Sequence, residues 1–377
     1  MKMGRIIEVR GSAHEMGITQ GKLLHDDIHD GWHVARNCGA IRAAKPQVIP
    51  HWCFLFATGL WTKKNLAITF EKIPEFRARF EGITKGSGLP EWQLALIHYL
   101  EVVSADSARQ MMGCSSIAVL PPKSDEPLLA KNFDFVDEFD KFGILRKSCP
   151  RLGFSSVEFT MSPLAGAHTG FNETGLAITY NYGYSRERPQ KSSLLTARVQ
   201  EVLHTCETVR DSINILRRKP NLSSGIITVI DRSGSAVSIE LSPGKTAVIE
   251  PESERRFLIN ANLFHSDSMR GLMIPAEAVY GKKSPHSIQG TSIQKPNIMR
   301  TERLSKLLTR YNRIDVDILK KILCDHGEDG IPSENTICRH HDNYSTHISA
   351  IIMPKSLKML YCWGSPCKAT QWHEIRL

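Results

Sequence analysis

The sequence has no apolar run long enough to cross a membrane. Its longest near the N-terminus, Cys53-Phe54-Leu55-Phe56-Ala57, falls far short of the ~20 residues a spanning helix needs. The opening MKMGRIIEVRG holds no apolar core of leader length, so a cytoplasmic protein is expected. Repeats and low-complexity segments are also missing. So is a concentrated basic face. Net charge is +9, yet the densest cluster is only Arg217-Arg218-Lys219. Nucleic-acid binding needs such a face, so no nucleic-acid partner and no membrane partner are expected. The dispersed charge reads as solvated surface that modestly favours an anionic substrate. The nine cysteines are odd in number and irregularly spaced in a large chain. That argues against a disulfide framework and for free thiols. No pair has zinc-knuckle spacing, and no metal or organic cofactor is expected.

What remains is a globular composition. The chain has 377 residues, 41% hydrophobic and 23% charged, enough for a sizeable core in one large domain or two ordinary ones. The first 105 residues read mainly as helix. His14 to about Cys38 carries Met16, Ile18, Leu23, Leu24 and Ile28 at helical spacing. Residues 66–84 continue that way, Gly86-Ser87-Gly88 stops the helix, and Pro90 starts another. From Cys114 the texture changes to short strands with turn signals between them: 114–120, 128–134, 155–161, 166–171, 175–181, 224–230, 235–241, 245–250, 256–261, 347–353 and 357–363. Helical segments interrupt at about 193–217 and 299–324. This order predicts a layered α+β fold, with helices on both sides of two packed, largely antiparallel sheets.

One stretch, RQMMGCSSIAVL (residues 109–120), carries candidate chemistry. A cysteine in a strand is ordinarily a small hydrophobe. Here Gly113 precedes Cys114 and leaves its backbone accessible. The polar quartet Lys131-Asn132-Phe133-Asp134 follows a turn. A hairpin centred near Lys123–Ser124 is expected, in a register that pairs Cys114 with Asp134 and Ser116 with Asn132. Opposed residues on antiparallel strands have Cβ atoms roughly 4.5–5.5 Å apart.

A conventional Cys–His enzyme is the alternative, with His340, His341 or His347 as partner, but no papain-like or caspase-like signature is present. Several other features read as structure. His25, His29 and His33 recur at helical spacing, as a surface stripe. Asn172 and Gly175 read as a turn. Arg303 and Lys306 read as a solvated helix face, and Cys362 and Cys367 as strand-end thiols.

Six blocks, in order, resemble the acyl-coenzyme A:isopenicillin N acyltransferase family, and more distantly the cholylglycine hydrolases and penicillin V acylases. They are VRGSAHEMGITQGKLL, GCSSIAV, LLAKNFDF, GFNETGLAITYN, LINANLF and MRTERLSKLL. The C-terminal ENTICRHH and THISAIIMPKSLKMLYCWGSPC continue the likeness. It spans about residues 5 to 370.

The resemblance implies a four-layer αββα sandwich of the N-terminal-nucleophile (Ntn) hydrolase type. It implies self-cleavage after Gly113, giving a small helical chain, 1–113, that stays packed on a large chain, 114–377, as one composite domain. Cys114 would become the nucleophile, with its own α-amino group as base. By the same resemblance, Asp134 matches the carboxylate that holds that amine. Asn262 matches the oxyanion-hole asparagine, with Asn260 two positions away as competitor. Asn181 matches a second oxyanion contributor, and Arg300 an arginine that braces the site. Lys131 stands where the cholylglycine hydrolases place an arginine; a lysine is a point charge without a bidentate fork. The expected activity is hydrolysis or transfer of the acyl group of a linear N-acyl amide, a small-molecule substrate. The alternatives are an acyl-coenzyme A-dependent N-acyltransferase and a non-catalytic binding protein on the same frame.

Overall fold

The computed structural model describes residues 5–107, 112–218, 220–282, 284, 289–341 and 344–377. The N-terminal part is a strand, β1 (Arg5–Gly11), followed by helices α1 (Ala13–Leu23), α2 (His25–Ala35), α3 (Gly39–Ala44), α4 (His51–Lys72), α5 (Pro74–Ser87) and α6 (Glu91–Ser107). Local chemistry sets the ends. Ser12 and Glu15 form a reciprocal capping box at the start of α1. Pro74 opens α5, and Gly88, at φ 71°, closes it in the left-handed region. The expected single helix from His14 to Cys38 is two, broken at Leu24. Gly17 and Gly21 of α1 lie on Gly82 and Gly86 of α5 so closely that any Cβ there would enter the other helix's backbone.

The chain continues through β2 (Met112–Val119), β3 (Leu128–Val136), β4 (Gly143–Pro150), β5 (Ser156–Met161), β6 (Thr169–Asn172) and β7 (Leu176–Tyr182). Helices α7 (Leu195–Thr205) and α8 (Val209–Leu216) follow, then β8 (Gly225–Asp231), β9 (Ala236–Leu241), β10 (Thr246–Ile249) and β11 (Phe257–Asn260). Next come α9 (Asp267–Arg270), α10 (Lys295–Arg310) and α11 (Val316–Leu323). β12 (His340–His341), β13 (Tyr344–Met353), β14 (Lys358–Trp363) and β15 (His373–Arg376) end the chain.

Two sheets result. One has the order β1-β4-β5-β6-β7-β8-β9-β10 and is antiparallel except for the β1–β4 pair. The other runs β11-β2-β3-β13-β14-β15, with β12 on β13. They face each other through β2, β3, β7 and β8. Helices α1, α7 and α8 cover the outer face of the first sheet, and α10 and α11 that of the second. This is the expected αββα sandwich.

Alternation along β2 and β3 sorts their side chains by face. Cys114, Ala118, Leu129 and Phe133 join the core between the sheets. Ile117, Val119, Leu128 and Ala130 pack instead with Leu304, Leu308, Leu319 and Ile322 of α10 and α11. All eleven expected strands are present. Four further ones, β1, β4, β12 and β15, were not expected; β1 and β4 pair with each other, so the N-terminal segment supplies an edge strand to the first sheet. Among the described residues, no helix is long and apolar enough to cross a membrane.

Candidate active site

Cys114 lies near the start of β2, with residues 108–111 before that strand outside the described residues. It is buried, and its backbone is held on both sides. Its N–H donates to Asn262 Oδ1 over 2.9 Å. Its carbonyl accepts from Arg300 Nη1 over 2.9 Å. A left-handed turn at Asn262 (φ 68°), just beyond β11, brings that amide to Cys114. Asparagine is among the few residues that adopt this conformation readily. Asn262 Nδ2 donates in turn to the Tyr182 carbonyl over 2.7 Å.

Arg300 enters from α10 and is fully buried. Besides Cys114 it reaches Ser115 Oγ at 3.0 Å, Asn262 Oδ1 at 3.0 Å and Asn297 Oδ1 at 2.8 Å. A planar guanidinium can serve several acceptors at once, which an ammonium cannot. Burial lowers its pKa, and the neighbouring Arg339 lowers it further.

The expected hairpin register needs correction. β2 and β3 pair Cys114 with Phe133, Ser116 with Lys131 and Gly113 with Asp134. A hairpin centred between Lys123 and Ser124 pairs Val119 with Leu128, and hence 114 with 133; pairing 114 with 134 would need the centre on Ser124. The half-step matters because it places the Cys114 and Asp134 side chains on opposite faces of the sheet. The thiol faces the inter-sheet core. The Asp134 carboxylate faces α10.

On the inner face the thiol meets Lys131. That ammonium donates to the Tyr180 carbonyl and interacts with the thiol. Burial lowers the Lys131 pKa. Burial also raises the Cys114 thiol, against the opposing pull of Lys131 and the Asp134 backbone N–H. Beyond Phe133 lies a cavity of about 60 Å³, lined by Ile97, Leu100, Phe139, Met161, His168 and Glu101 among others. An open cleft of about 520 Å³ lies between α10 and residues 325–336, and Cys114, Asp134, Asn262 and Arg300 do not line it.

On the outer face Asp134 accepts from Thr346 Oγ1 over 2.7 Å through Oδ1. Among the described residues its buried Oδ2 has no hydrogen-bond partner, and it lies 3.8 Å from both Arg300 Nη1 and Arg339 Nη1. Burial raises the Asp134 pKa to about 6, opposed by the two arginines. Arg339 and Thr346 escaped the sequence reading. Arg339 sits inside the quoted ENTICRHH block, but nothing in one sequence separates it from the other arginines. Its guanidinium stacks 4.3 Å over the Tyr344 ring and lies where a Cβ on residue 113 would be.

The remaining candidates have other partners. Asn181 Nδ2 is held by the Asn260 carbonyl at 3.0 Å rather than by Cys114. Asn260 ties the sheets together, its Oδ1 accepting from Ser238 at 3.2 Å and its Nδ2 donating to Thr228 at 2.6 Å. It is thus spent opposite Ser116, two residues along β2 from Cys114. His347 is buried beside Phe133 and Phe135, and burial lowers its pKa to about 3. His340 pairs with His326 instead of Cys114. In the histidine stripe, His29 bonds the Ser87 carbonyl and His25 bonds Asp26. Asn172 does make its turn, accepting from the N–H groups of Thr174 and Leu176. Arg303 and Lys306 form ion pairs with Glu328, and Arg303 also with Asp325.

Residues 121–368, about two-thirds of the chain, match the sequence profile of the acyl-coenzyme A:6-aminopenicillanic acid acyl-transferase family. The chain belongs to that family. The matched region begins just past Cys114 and takes in Lys131, Asp134, Asn181, Asn262, Arg300 and Arg339. No curated protein sequence matches the chain significantly. Among solved structures, it is similar to the Caenorhabditis elegans ortholog of N-acylethanolamine-hydrolyzing acid amidase, at 14% identity and a TM-score of 0.43, over 64% of this chain and 93% of that one. It is also similar to a variant of conjugated bile acid hydrolase from Clostridium perfringens (13%, TM-score 0.43, over 70% and 92%). A third is penicillin V acylase from Agrobacterium tumefaciens (13%, TM-score 0.39, over 70% and 86%).

Proposed function

We propose that the chain is a self-processing cysteine enzyme of the Ntn type that hydrolyses or transfers the acyl group of a linear N-acyl amide. The observation that carries this reading is the way Cys114 is held. Its N–H and carbonyl are fixed by Asn262 and Arg300, while Lys131 meets its sulfur. A merely structural cysteine needs none of these partners.

In the precursor, the Cys114 sulfur attacks the Gly113 carbonyl carbon. The peptide C–N bond breaks as the proton passes to the nitrogen, leaving a thioester and a free Cys114 amine. Water then hydrolyses the thioester to a Gly113 carboxylate and the thiol. The peptide nitrogen had one N–H, already donated to Asn262. The new amine has more to donate, and Asp134 Oδ2, across from position 113, is a buried acceptor with no hydrogen bond among the described residues. An α-amine has a reference pKa of roughly 7.7–8.0, near enough to neutrality to take the thiol proton. The thiolate, favoured by Lys131, attacks the substrate carbonyl. Asn262 is the proposed donor to the resulting oxyanion. Collapse expels the amine and leaves an acyl-enzyme.

Water or an amine completes the turnover. Hydrolase and acyltransferase share this acyl-enzyme, and the family name, with its acyl-coenzyme A, keeps the transferase in play. Residues 1–113 stay associated after cleavage, because β1 is paired along β4 and α1 packs on that sheet. The free thiols suit a reducing, cytoplasmic setting.

Denaturing gels and N-terminal sequencing test processing. A chain starting Cys-Ser-Ser-Ile is expected, and none from Cys114→Ala. Turnover is tested on a panel of N-acyl amino compounds with and without acyl-coenzyme A, read by mass spectrometry. An intact wild-type chain with an unreactive Cys114 would instead mean a binding protein.

A further inference from the structure

Outside this site, four metal-ligating side chains converge. His326 lies just after α11, Cys338 and His340 flank Arg339, and Cys367 sits in a short turn after β14. Cys338 Sγ is 3.5 Å from Cys367 Sγ. Cys367 Sγ is 3.3 Å from His340 Nε2, which is 3.2 Å from His326 Nε2. All four ligand atoms lie within 4.8 Å of one another.

We propose that His326, Cys338, His340 and Cys367 bind one zinc ion in a closed tetrahedral site. Zinc–sulfur bonds of about 2.3 Å and zinc–nitrogen bonds of about 2.0–2.1 Å make a tetrahedron with edges of roughly 3.3–3.8 Å. The three adjacent separations, 3.2 to 3.5 Å, have that scale. Two thiolates and two neutral imidazoles form a zinc-type donor set, borderline-soft and free of carboxylates. On binding, each thiol gives up its proton to solvent as its sulfur takes the metal.

Four protein ligands leave no open position, so the ion is structural and takes no part in acyl transfer. It joins three separate segments, which is why no knuckle spacing exists. It also bears on the candidate active site. Arg339 lies between two ligands and reaches Asp134 and Gly113. Its backbone is further fixed: its N–H donates to Thr346 Oγ1 at 3.2 Å and its carbonyl accepts from the Thr346 N–H at 2.8 Å. Arg339 is therefore a positioning residue whose backbone the metal anchors.

The test uses the full chain as Cys114→Ala, so that it does not depend on processing. Protein purified without chelator is assayed for metals by mass spectrometry, and about one zinc per chain is expected. Replacement by Co(II) should give the visible absorption of tetrahedral cobalt with sulfur-to-metal charge transfer. Cys367 is exposed, so Cys367→Ser should fold normally, by circular dichroism, yet lose most of the zinc and the charge-transfer band; His326→Asn should lose zinc and keep a weaker band. Zinc absent from the parent protein, zinc retained undiminished in Cys367→Ser, or a Cys338–Cys367 disulfide in the non-reduced protein would each overturn the proposal.

Discussion

Asp134 stands directly across from Gly113 on the neighbouring strand, with its Oδ2 3.8 Å from the nearest nitrogens of both Arg300 and Arg339. The carboxylate is thus buried between two cations without a direct hydrogen bond from either, beside the peptide bond proposed to break. Burial raises its pKa to about 6 and the arginines oppose that rise. The fold therefore favours the protonated carboxyl. Stability from this group is present below roughly pH 4, the ordinary aspartate value, and is lost as pH rises through about 6. The proposed role runs the other way, since holding the cationic amine of Cys114 would need the ionised form.

Processing by the wild-type chain should accordingly fall as pH drops below about 6. Asp134→Asn should fold, become flatter in stability between roughly pH 4 and 6, and process at least ~100-fold more slowly, the scale of a lost acid–base partner. Cleavage time courses at several pH values check this. A wild-type rate in Asp134→Asn would remove the carboxylate from the chemistry.

Gly113 should tolerate no side chain. A Cβ there falls on the Arg339 guanidinium and 2.7 Å from the Tyr344 hydroxyl. Gly113→Ala should cost about 1–3 kcal/mol, the usual penalty of overpacking, and slow cleavage by displacing Arg339. Thermal melts of Gly113→Ala in the Cys114→Ala background give the first number, and cleavage of Gly113→Ala alone gives the second. Full stability with normal cleavage would mean that Arg339 swings aside freely.

Arg300 separates charge from geometry. Arg300→Lys keeps a cation near Asp134 but cannot serve Cys114, Ser115, Asn262 and Asn297 together. It should fold and process at least ~10-fold more slowly, the cost of misplacing a reacting group. Arg300→Met leaves Asp134 with one cation fewer and should lose about 3–5 kcal/mol. Urea titration and cleavage assays on both variants decide it. An unimpaired Arg300→Lys would reduce Arg300 to a core brace.

Much of this frame was legible because apolar alternation and turn residues mark each strand from Cys114 onward. β4 was not legible because Gly-Ile-Leu-Arg-Lys-Ser-Cys-Pro carries charges at its centre. Arg146 is buried there only because Glu158 of β5 meets it, a pairing that no local pattern announces. β1 was hidden in the same way, since its partner was β4. The approach of Asn262 and Arg300 to Cys114 was implied by family likeness, not by spacing. The hairpin register turned on half a residue. Arg339 and the His326–Cys338–His340–Cys367 cluster depend on where the loop after α11 folds back, and nothing local specifies that.

The buried Glu158 network should be the fold's most sensitive ion pair. Glu158 accepts from Arg146 Nε at 2.8 Å, Ser156 Oγ at 2.6 Å and His204 at 3.1 Å, with Arg79 3.7 Å away. Burial raises its pKa, but Arg146, His204 and Arg79 outweigh that and hold it well below the usual range. A depressed acid stabilises the fold above its unfolded value, ~4.3, and that contribution is lost as pH falls below it. Glu158→Gln keeps the shape and strands the two arginines, so a loss of about 3–5 kcal/mol is expected. Urea unfolding of the uncleaved Cys114→Ala chain at neutral pH measures it. A loss under ~1 kcal/mol would show Arg146 already satisfied by its carbonyl partners.

Asn262 and Asn260 should part company in kinetics. Asn262 is bonded to the Cys114 N–H, whereas Asn260 is spent on Ser238 and Thr228 of the other sheet. An oxyanion donor acts on charge that exists only in the transition state. Its loss lowers kcat and kcat/KM together and spares substrate binding. Asn262→Ala in already processed enzyme should lose about 2.7–4 kcal/mol of transition-state stabilisation, roughly a hundred- to thousandfold in rate. Asn260→Ala strands Ser238 and Thr228 between the sheets. It should cost about 1–3 kcal/mol of stability with kcat nearly intact. Steady-state kinetics of both on one N-acyl substrate, with a denaturation curve for each, separates the roles. A large kcat loss confined to Asn260→Ala would move the oxyanion site to that residue, and normal kcat in both would take this strand end out of the mechanism.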